Sequence, residues 1–276
     1  MTGETTLRSP DDLVRDLRAL GVRAGDTLMI HASLRAIGPV EGGAQGVLDA
    51  LDRAVGEGGT SMMVLGAQDD WAWVNDLPEG ERVARLAEAE PFDCLRTPAE
   101  PDVGYLAEAF RQRSGTIVSD HPEGRFGARG AWAAELLRDP PWHHYYGPGS
   151  PLERLCRASG RVLRLGADFN TTTVLHWAEY LVELPEKRRV RRYRRVAGSP
   201  EPVIRHVDCL DDSKGIVDWP GEDYFGLILQ DYLATGRARR GTVGGARSEL
   251  LEAADLVDFG VAWMKARFGA LVEALA

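Results

Sequence analysis

Residues 9–38 read SPDDLVRDLRALGVRAGDTLMIHASLRAIG, and this stretch decides the fold class. Ser9 is placed to cap a helix, Pro10 to occupy its first turn, and Asp11 and Asp12 to sit at the positive end of its dipole. Leu13, Val14, Leu17 and Leu20 form one apolar stripe, and Gly21 ends it. Thr27-Leu28-Met29-Ile30 is a strand-like run that gives way to the polar His31-Ala32-Ser33. Beyond it, Gly42-Gly43 opens a helical pattern through Ala54, and Gly58-Gly59 leads into a second strand over Ser61 to Leu65. Helix, strand, helix and strand in close succession predict an α/β layered fold, with a central, mostly buried sheet flanked by helices.

From about Gln68 to Pro101 the chain is rich in acidic residues, Trp and Pro and has no clean period, as expected of a substrate-facing insertion. Regular structure resumes with a strand over Arg161 to Leu165, a loop over Gly166 to Asn170, and a helix from about Thr172 to Leu184. With no internal repeat and no low-complexity linker, residues 1–276 are read as one domain.

The 276 residues are 44% apolar, enough for a substantial core. No apolar run approaches the length of a membrane span, and Met1 to Pro10 lack a signal pattern, so a cytoplasmic protein without a membrane partner is expected. Cys94, Cys156 and Cys209 are too widely spaced for a zinc motif or a disulfide framework; they are read as reduced thiols, and no metal is expected. The net charge of −9 suits a cationic ligand and disfavours nucleic acid. Against that background, Lys187 to Arg195 is strongly basic with Tyr193 as its only interleaved aromatic residue. It is read as a solvated strand edge whose charge prevents self-pairing, not as a nucleic-acid surface. Monomer and homodimer both fit the sequence.

His176 and Glu179 lie three residues apart in the predicted helix and so share one face. A carboxylate there can hold one imidazole nitrogen and leave the other free to accept a proton. Among six histidines, about one such pair is expected by chance, so context decides. The context is a strand-to-helix loop, Gly166 to Asn170, where open α/β sheets place ligands; ordinary capping by Asn170 or Thr171 is the plainer alternative. A second strand end, His31 to Gly38, offers turn N–H groups able to polarise a carbonyl, with Ser33 or His31 adding donors. Arg53-Ala54-Val55-Gly56-Glu57-Gly58 matches the pyrophosphate-loop pattern of the better-known acetyltransferase fold, but it ends a helix where that loop must open one.

Taken in order, the motifs resemble the aminoglycoside 3-N-acetyltransferase family, the antibiotic N-acetyltransferases. They are His31-x-Ser33 with Gly38 and Gly42-Gly43; Pro91-Phe92-Asp93; Ser119-Asp120-His121-Pro122 with Ala128 and Gly130; and Gly149-Ser150-Pro151. Asn170-Thr171-Thr172 leading to Leu175-His176-x-x-Glu179, Asp212-Ser213-Lys214-Gly215-Ile216 and Val243-Gly244 follow. The chain departs from the family pattern at Gly124-Arg125-Phe126-Gly127, where a serine usually follows the His-Pro pair, and at Ala167-Asp168-Phe169, where Gly-His-Asp is common.

The resemblance implies direct acetyl transfer from acetyl-CoA to the 3-amino group of a 2-deoxystreptamine aminoglycoside, without an acyl-enzyme. It makes His176 the general base and Glu179 the carboxylate that orients it. It makes His31, Ala32, Ser33, Leu34, Arg35, Gly38, Ser119, His121, Thr171 and Thr172 the expected acetyl-CoA contacts. A polycationic acceptor needs carboxylates, for which the loop residues Asp69, Asp70, Asp102, Glu123, Asp168, Asp211, Asp212, Glu222 and Asp223 are candidates, with Trp71 beside the preferred pair Asp69 and Asp70. Another amine acceptor, or a binding protein that sequesters cations without catalysis, are the alternatives.

Overall fold

The structure, a computed structural model, describes residues 7–198, 200–221 and 223–275. The chain opens with α1 (Pro10–Leu20), β1 (Thr27–Ala32), α2 (Leu34–Ile37), α3 (Gly43–Val55) and β2 (Thr60–Val64). The excursion that follows carries α4 (Glu79–Leu86) before α5 (Tyr105–Gln112), β3 (Ile117–Val118) and β4 (Phe126–Gly130). Next come α6 (Ala133–Leu137), α7 (Pro151–Arg157), β5 (Arg161–Leu165) and α8 (Leu175–Leu181). A hairpin of β6 (Arg189–Val196) and β7 (Val203–Leu210) precedes α9 (Tyr224–Ala234), β8 (Arg239–Val243), β9 (Ala246–Glu252) and α10 (Ala253–Leu275).

Local sequence sets the first helix as expected. Ser9 and Asp12 close a capping box, Gly21 stops the helix in a left-handed conformation, and Leu13, Val14, Leu17 and Leu20 are all buried. The Gly56 turn likewise closes α3, so the apparent pyrophosphate-loop pattern sits at the wrong end of a helix.

Seven strands form one sheet in the order β3-β4-β2-β1-β5-β9-β8, with β2, β1 and β5 parallel and the outer strands antiparallel. Period-two alternation divides the core. Leu28, Ile30, Met63, Leu163 and Leu250 face α1, α3 and α5, while Met29, Met62, Val162 and Leu251 face the layer of α6 to α10. The fold is therefore the layered α/β architecture that the opening segment predicts. From β1 the chain runs to a parallel neighbour on one side (β2) and later to one on the other (β5), and at such a switch point a crevice opens beyond the carboxyl ends of the strands.

Two local expectations are corrected. The helix carrying His176 starts at Leu175, not near Thr172: the residues before it form tight turns, Leu175 N–H bonding Thr172 O and His176 N–H bonding Thr173 O, both at 3.0 Å. The basic run does form a strand, but it is only half solvated. Arg189 and Arg191 face outward, whereas the side chains of Arg192 and Arg194 are only 15% and 12% exposed and bind carboxylates. No described helix is long and apolar enough to cross a membrane.

Candidate active site

His176 projects from the first turn of α8, a helix whose Leu175, Trp177 and Ala178 are buried and fix its rotation. Gly260 of α10 lets the two helices approach closely: a Cβ there would lie 2.9 Å from Leu175 Cδ2. One turn on, Glu179 is 1% exposed, and its Oε2 accepts a hydrogen bond from His176 Nδ1 at 2.7 Å. Its Oε1 accepts from the Tyr224 hydroxyl, and Tyr224 in turn accepts from Ile216 N–H at 3.2 Å. The imidazole is stacked on Tyr146, 4.8 Å between centroids and 9° between planes, and meets the edge of Phe225 at 4.7 Å. The ring is thus packed by two aromatic side chains and fixed at Nδ1, while Nε2 bonds to no described residue.

His176 and Glu179 line a cleft of about 240 Å³ together with Asp212, Lys214 and Asp223. Burial opposes protonation of the ring, yet the charge and hydrogen bond of Glu179, joined by Asp212 and Asp223, raise its pKa above the ordinary value. Asp212 is held by Arg192 Nη2 at 2.6 Å and by the Tyr145 hydroxyl at 2.5 Å. Burial pushes its carboxyl up, but the charges of Arg192 and His176 outweigh that and leave the pKa low. Asp223 caps α9 through Phe225 N–H at 2.7 Å.

A second cleft, about 760 Å³, lies at the switch point. His31, Ala32, Ser33, Leu34 and Arg35 line it with Asp102, Asp168 and Thr171, so the structure gathers these expected residues in one place. The segment from Gly166 to Thr173 walls this cleft, and Asn170 within it reaches the His176 cleft. His31 and Arg164 are paired across β1 and β5. Arg164 is fully buried and donates to Thr171 O, Thr172 Oγ1, Ala167 O and Asp168 O, bolting the loop before α8. Burial, and then the Arg164 charge, bring the His31 pKa down to about 3. The ring therefore stays neutral, and its buried Nε2 has no partner among the described residues.

Four expected contacts do not reach this cleft. Ser119 is buried, with its Oγ accepting from Phe126 N–H at 2.8 Å. His121 is buried too, with Nε2 on Trp142 O at 2.9 Å and Nδ1 accepting from the Glu123 and Gly124 amides at 3.1 and 2.8 Å; it secures a turn. Thr172 is spent on Arg164 and Phe169 O, and Gly38 ends α2 at φ +84.

The carboxylates divide in the same way. Asp69, Asp70 and Trp71 line a third cleft of about 500 Å³, with Trp71 stacked on Trp73 at 6.1 Å. Asp69 is already bound to Arg194. Glu123 is inside, its Oε1 2.5 Å from Arg194 Nε and its Oε2 3.6 Å from Arg192 Nη1. Burial pushes its carboxyl up to about 7, against the pull of Arg192 and with Asp212 and Glu100 adding to the rise. Asp211 is buried and accepts from the Ser213 and Lys214 amides, each at 3.0 Å, which makes it a turn-former. Glu222 lies outside the described residues. The sequence reading missed Tyr224, Tyr146, Arg192 and Arg194. Among the described residues, the one His/Asp group with metal-ligand spacing is His143, His206 and Asp208; none of the three lines these clefts, and Arg191 already holds Asp208 at 2.7 Å.

A sequence profile described as aminoglycoside 3-N-acetyltransferase matches residues 29–265. The chain belongs to the aminoglycoside 3-N-acetyltransferase family. Aminoglycoside N(3)-acetyltransferase VII of Streptomyces paromomycinus is 43% identical over 93% of this chain and 91% of its own. Two solved members superpose closely. AAC-IIIb, in a binary structure with CoASH, has a TM-score of 0.89 at 35% identity, covering 95% of this chain and 98% of that one. Sisomicin-bound AAC-VIa has a TM-score of 0.88 at 37% identity, covering 95% and 99%. The chain is thus an acyltransferase of this family.

Proposed function

We propose that this chain transfers the acetyl group of acetyl-CoA to the 3-amino group of a 2-deoxystreptamine aminoglycoside, and so confers resistance, with His176 as general base oriented by Glu179. The observation that carries the reading is the His176 Nδ1 to Glu179 Oε2 bond of 2.7 Å, beside two rings that pack the imidazole while Nε2 has no partner among the described residues. The CoASH-bound and sisomicin-bound relatives support the two substrates.

On this reading the acyl donor lies in the switch-point cleft and the acceptor amine in the His176 cleft, where Asp212 and Asp223 attract its ammonium form. The ammonium first gives up one proton to solvent; His176 Nε2 then takes a second as the neutral amine nitrogen bonds the thioester carbonyl carbon, and Glu179 stabilises the imidazolium. The oxyanion that forms needs preorganised donors. The first-turn amides of α2 at Leu34 and Arg35 have no preceding helical carbonyl to bond, and they are assigned that task with the buried Nε2 of neutral His31. The carbon–sulfur bond then breaks, and the thiolate leaves and takes up the proton. No acyl-enzyme forms and no metal takes part.

The direct test is the product. Incubation with acetyl-CoA and sisomicin is expected to add one acetyl group, located by NMR at the 3-amino nitrogen. Acetylation at another nitrogen, or none, would refute the assignment.

A further inference from the structure

Asp69 and Asp70 are neighbours on one cleft wall, yet only Asp70 makes no ion pair with a described residue. Asp69 is engaged by Arg194, which enters from β6 with its side chain 12% exposed and also binds Glu123 at 2.5 Å. Three segments outside the main sheet therefore meet at one guanidinium: the excursion after β2, the turn before β4, and the β6–β7 hairpin. Arg192, two residues along the same strand face, does the same for Asp212. Guanidinium and ammonium groups are both charged N–H donors to carboxylates, so Arg194 presents to Asp69 and Glu123 the chemistry that an amino group of an acceptor would present.

We propose that Arg194 is a specificity residue of the acceptor site: it fills, against Asp69 and Glu123, a subsite that one further ammonium group of an acceptor would otherwise occupy. The inference rests on the proposed acceptor site in the His176 cleft extending along the ion-pair chain from Asp212 through Arg192 and Glu123 to Arg194 and Asp69. A guanidinium serving only to bolt three segments together would change stability and affect all acceptors alike. A guanidinium standing in for an ammonium makes acceptor charge the variable.

The test measures thiol release from acetyl-CoA with two aminoglycosides that share a scaffold and differ by amino or hydroxyl at one position, using wild type, Arg194→Met and Arg194→Lys. Wild-type release with at least one of the pair establishes the acceptor reading independently of Arg194; release with neither removes that reading and this inference with it. With wild type active, Arg194→Met is expected to lower KM for the more highly charged acceptor on the order of tenfold, the size of one charge-assisted contact. KM for the less charged acceptor and for acetyl-CoA should stay put. Arg194→Lys, which keeps the charge, should keep the wild-type ratio of the two acceptors. Equal shifts for both acceptors, or the Met pattern appearing in Arg194→Lys, overturn the proposal. Should Arg194→Met not fold, Asp69→Asn decides: by freeing the Arg194 charge it should raise KM more for the more charged acceptor, and an equal rise for both overturns the proposal.

Discussion

Tyr224 donates its hydroxyl hydrogen to Oε1 of Glu179, the carboxylate oxygen that His176 does not use. Glu179 is thus held from both sides in a nearly dry site, and its aim at the imidazole depends on a residue from another helix, α9. Tyr224→Phe should leave Oε1 and the Ile216 amide without this partner and cost about 1–3 kcal/mol of stability. It should lower kcat about tenfold, a fraction of what general-base catalysis contributes, while both KM values hold. Steady-state kinetics beside a thermal melt would check this; unchanged kcat would mean that Glu179 needs no such support.

The raised pKa of His176 gives activity a direction with pH. A base must be neutral, so kcat/KM should fall as pH drops through a value above the ordinary 6.5 or so. In Glu179→Gln the charge that raises the pKa is gone and burial dominates, so the acid limb should move to lower pH while the plateau falls. Stability has the opposite sense. The folded state holds the proton more tightly than the unfolded chain does, so this contribution is complete below about pH 6.5 and is lost as pH rises through the folded pKa. Denaturation of wild type and Glu179→Gln across pH 5 to 9 should show their difference narrowing upward. A difference that widens with pH contradicts the sign.

Arg164 is the buried cation on which the loop before α8 hangs. Arg164→Met removes its hydrogen bonds to Ala167 O, Asp168 O, Thr171 O and Thr172 Oγ1, and leaves Glu249, 3.4 Å from Arg164 Nε, without its cation. A loss of about 3–5 kcal/mol in chemical denaturation is expected, the usual cost of breaking a buried pair. A loss under 1 kcal/mol would show that the loop holds itself.

What was legible in the sequence was local. The capping box of α1, its apolar stripe and the strands that follow depend on neighbours in the chain, and they stand where the pattern put them. His176 and Glu179 were legible because one helical turn brings them together. The start of α8 was not: Thr171 and Thr172 look like helix openers, but their hydroxyls bond Asp168 O and Phe169 O, and Arg164 holds the turn from below. Tyr224 is 45 residues from Glu179 in sequence, and only packing reveals it. The arginines of β6 did carry a signal. In a strand every second side chain shares a face, so Arg192 and Arg194 could have been separated from Arg191 before any contact was seen. Their partners, Asp69, Glu123 and Asp212, come from three distant turns and were invisible to spacing.

The most direct measurement is thiol release from acetyl-CoA with gentamicin or kanamycin, comparing wild type with His176→Ala at equal CoA occupancy. Wild type is expected to release thiol in an antibiotic-dependent way and the variant to lose at least about a hundredfold in kcat, with CoA binding intact. Release by His176→Ala at the wild-type rate would contradict the assignment of the base.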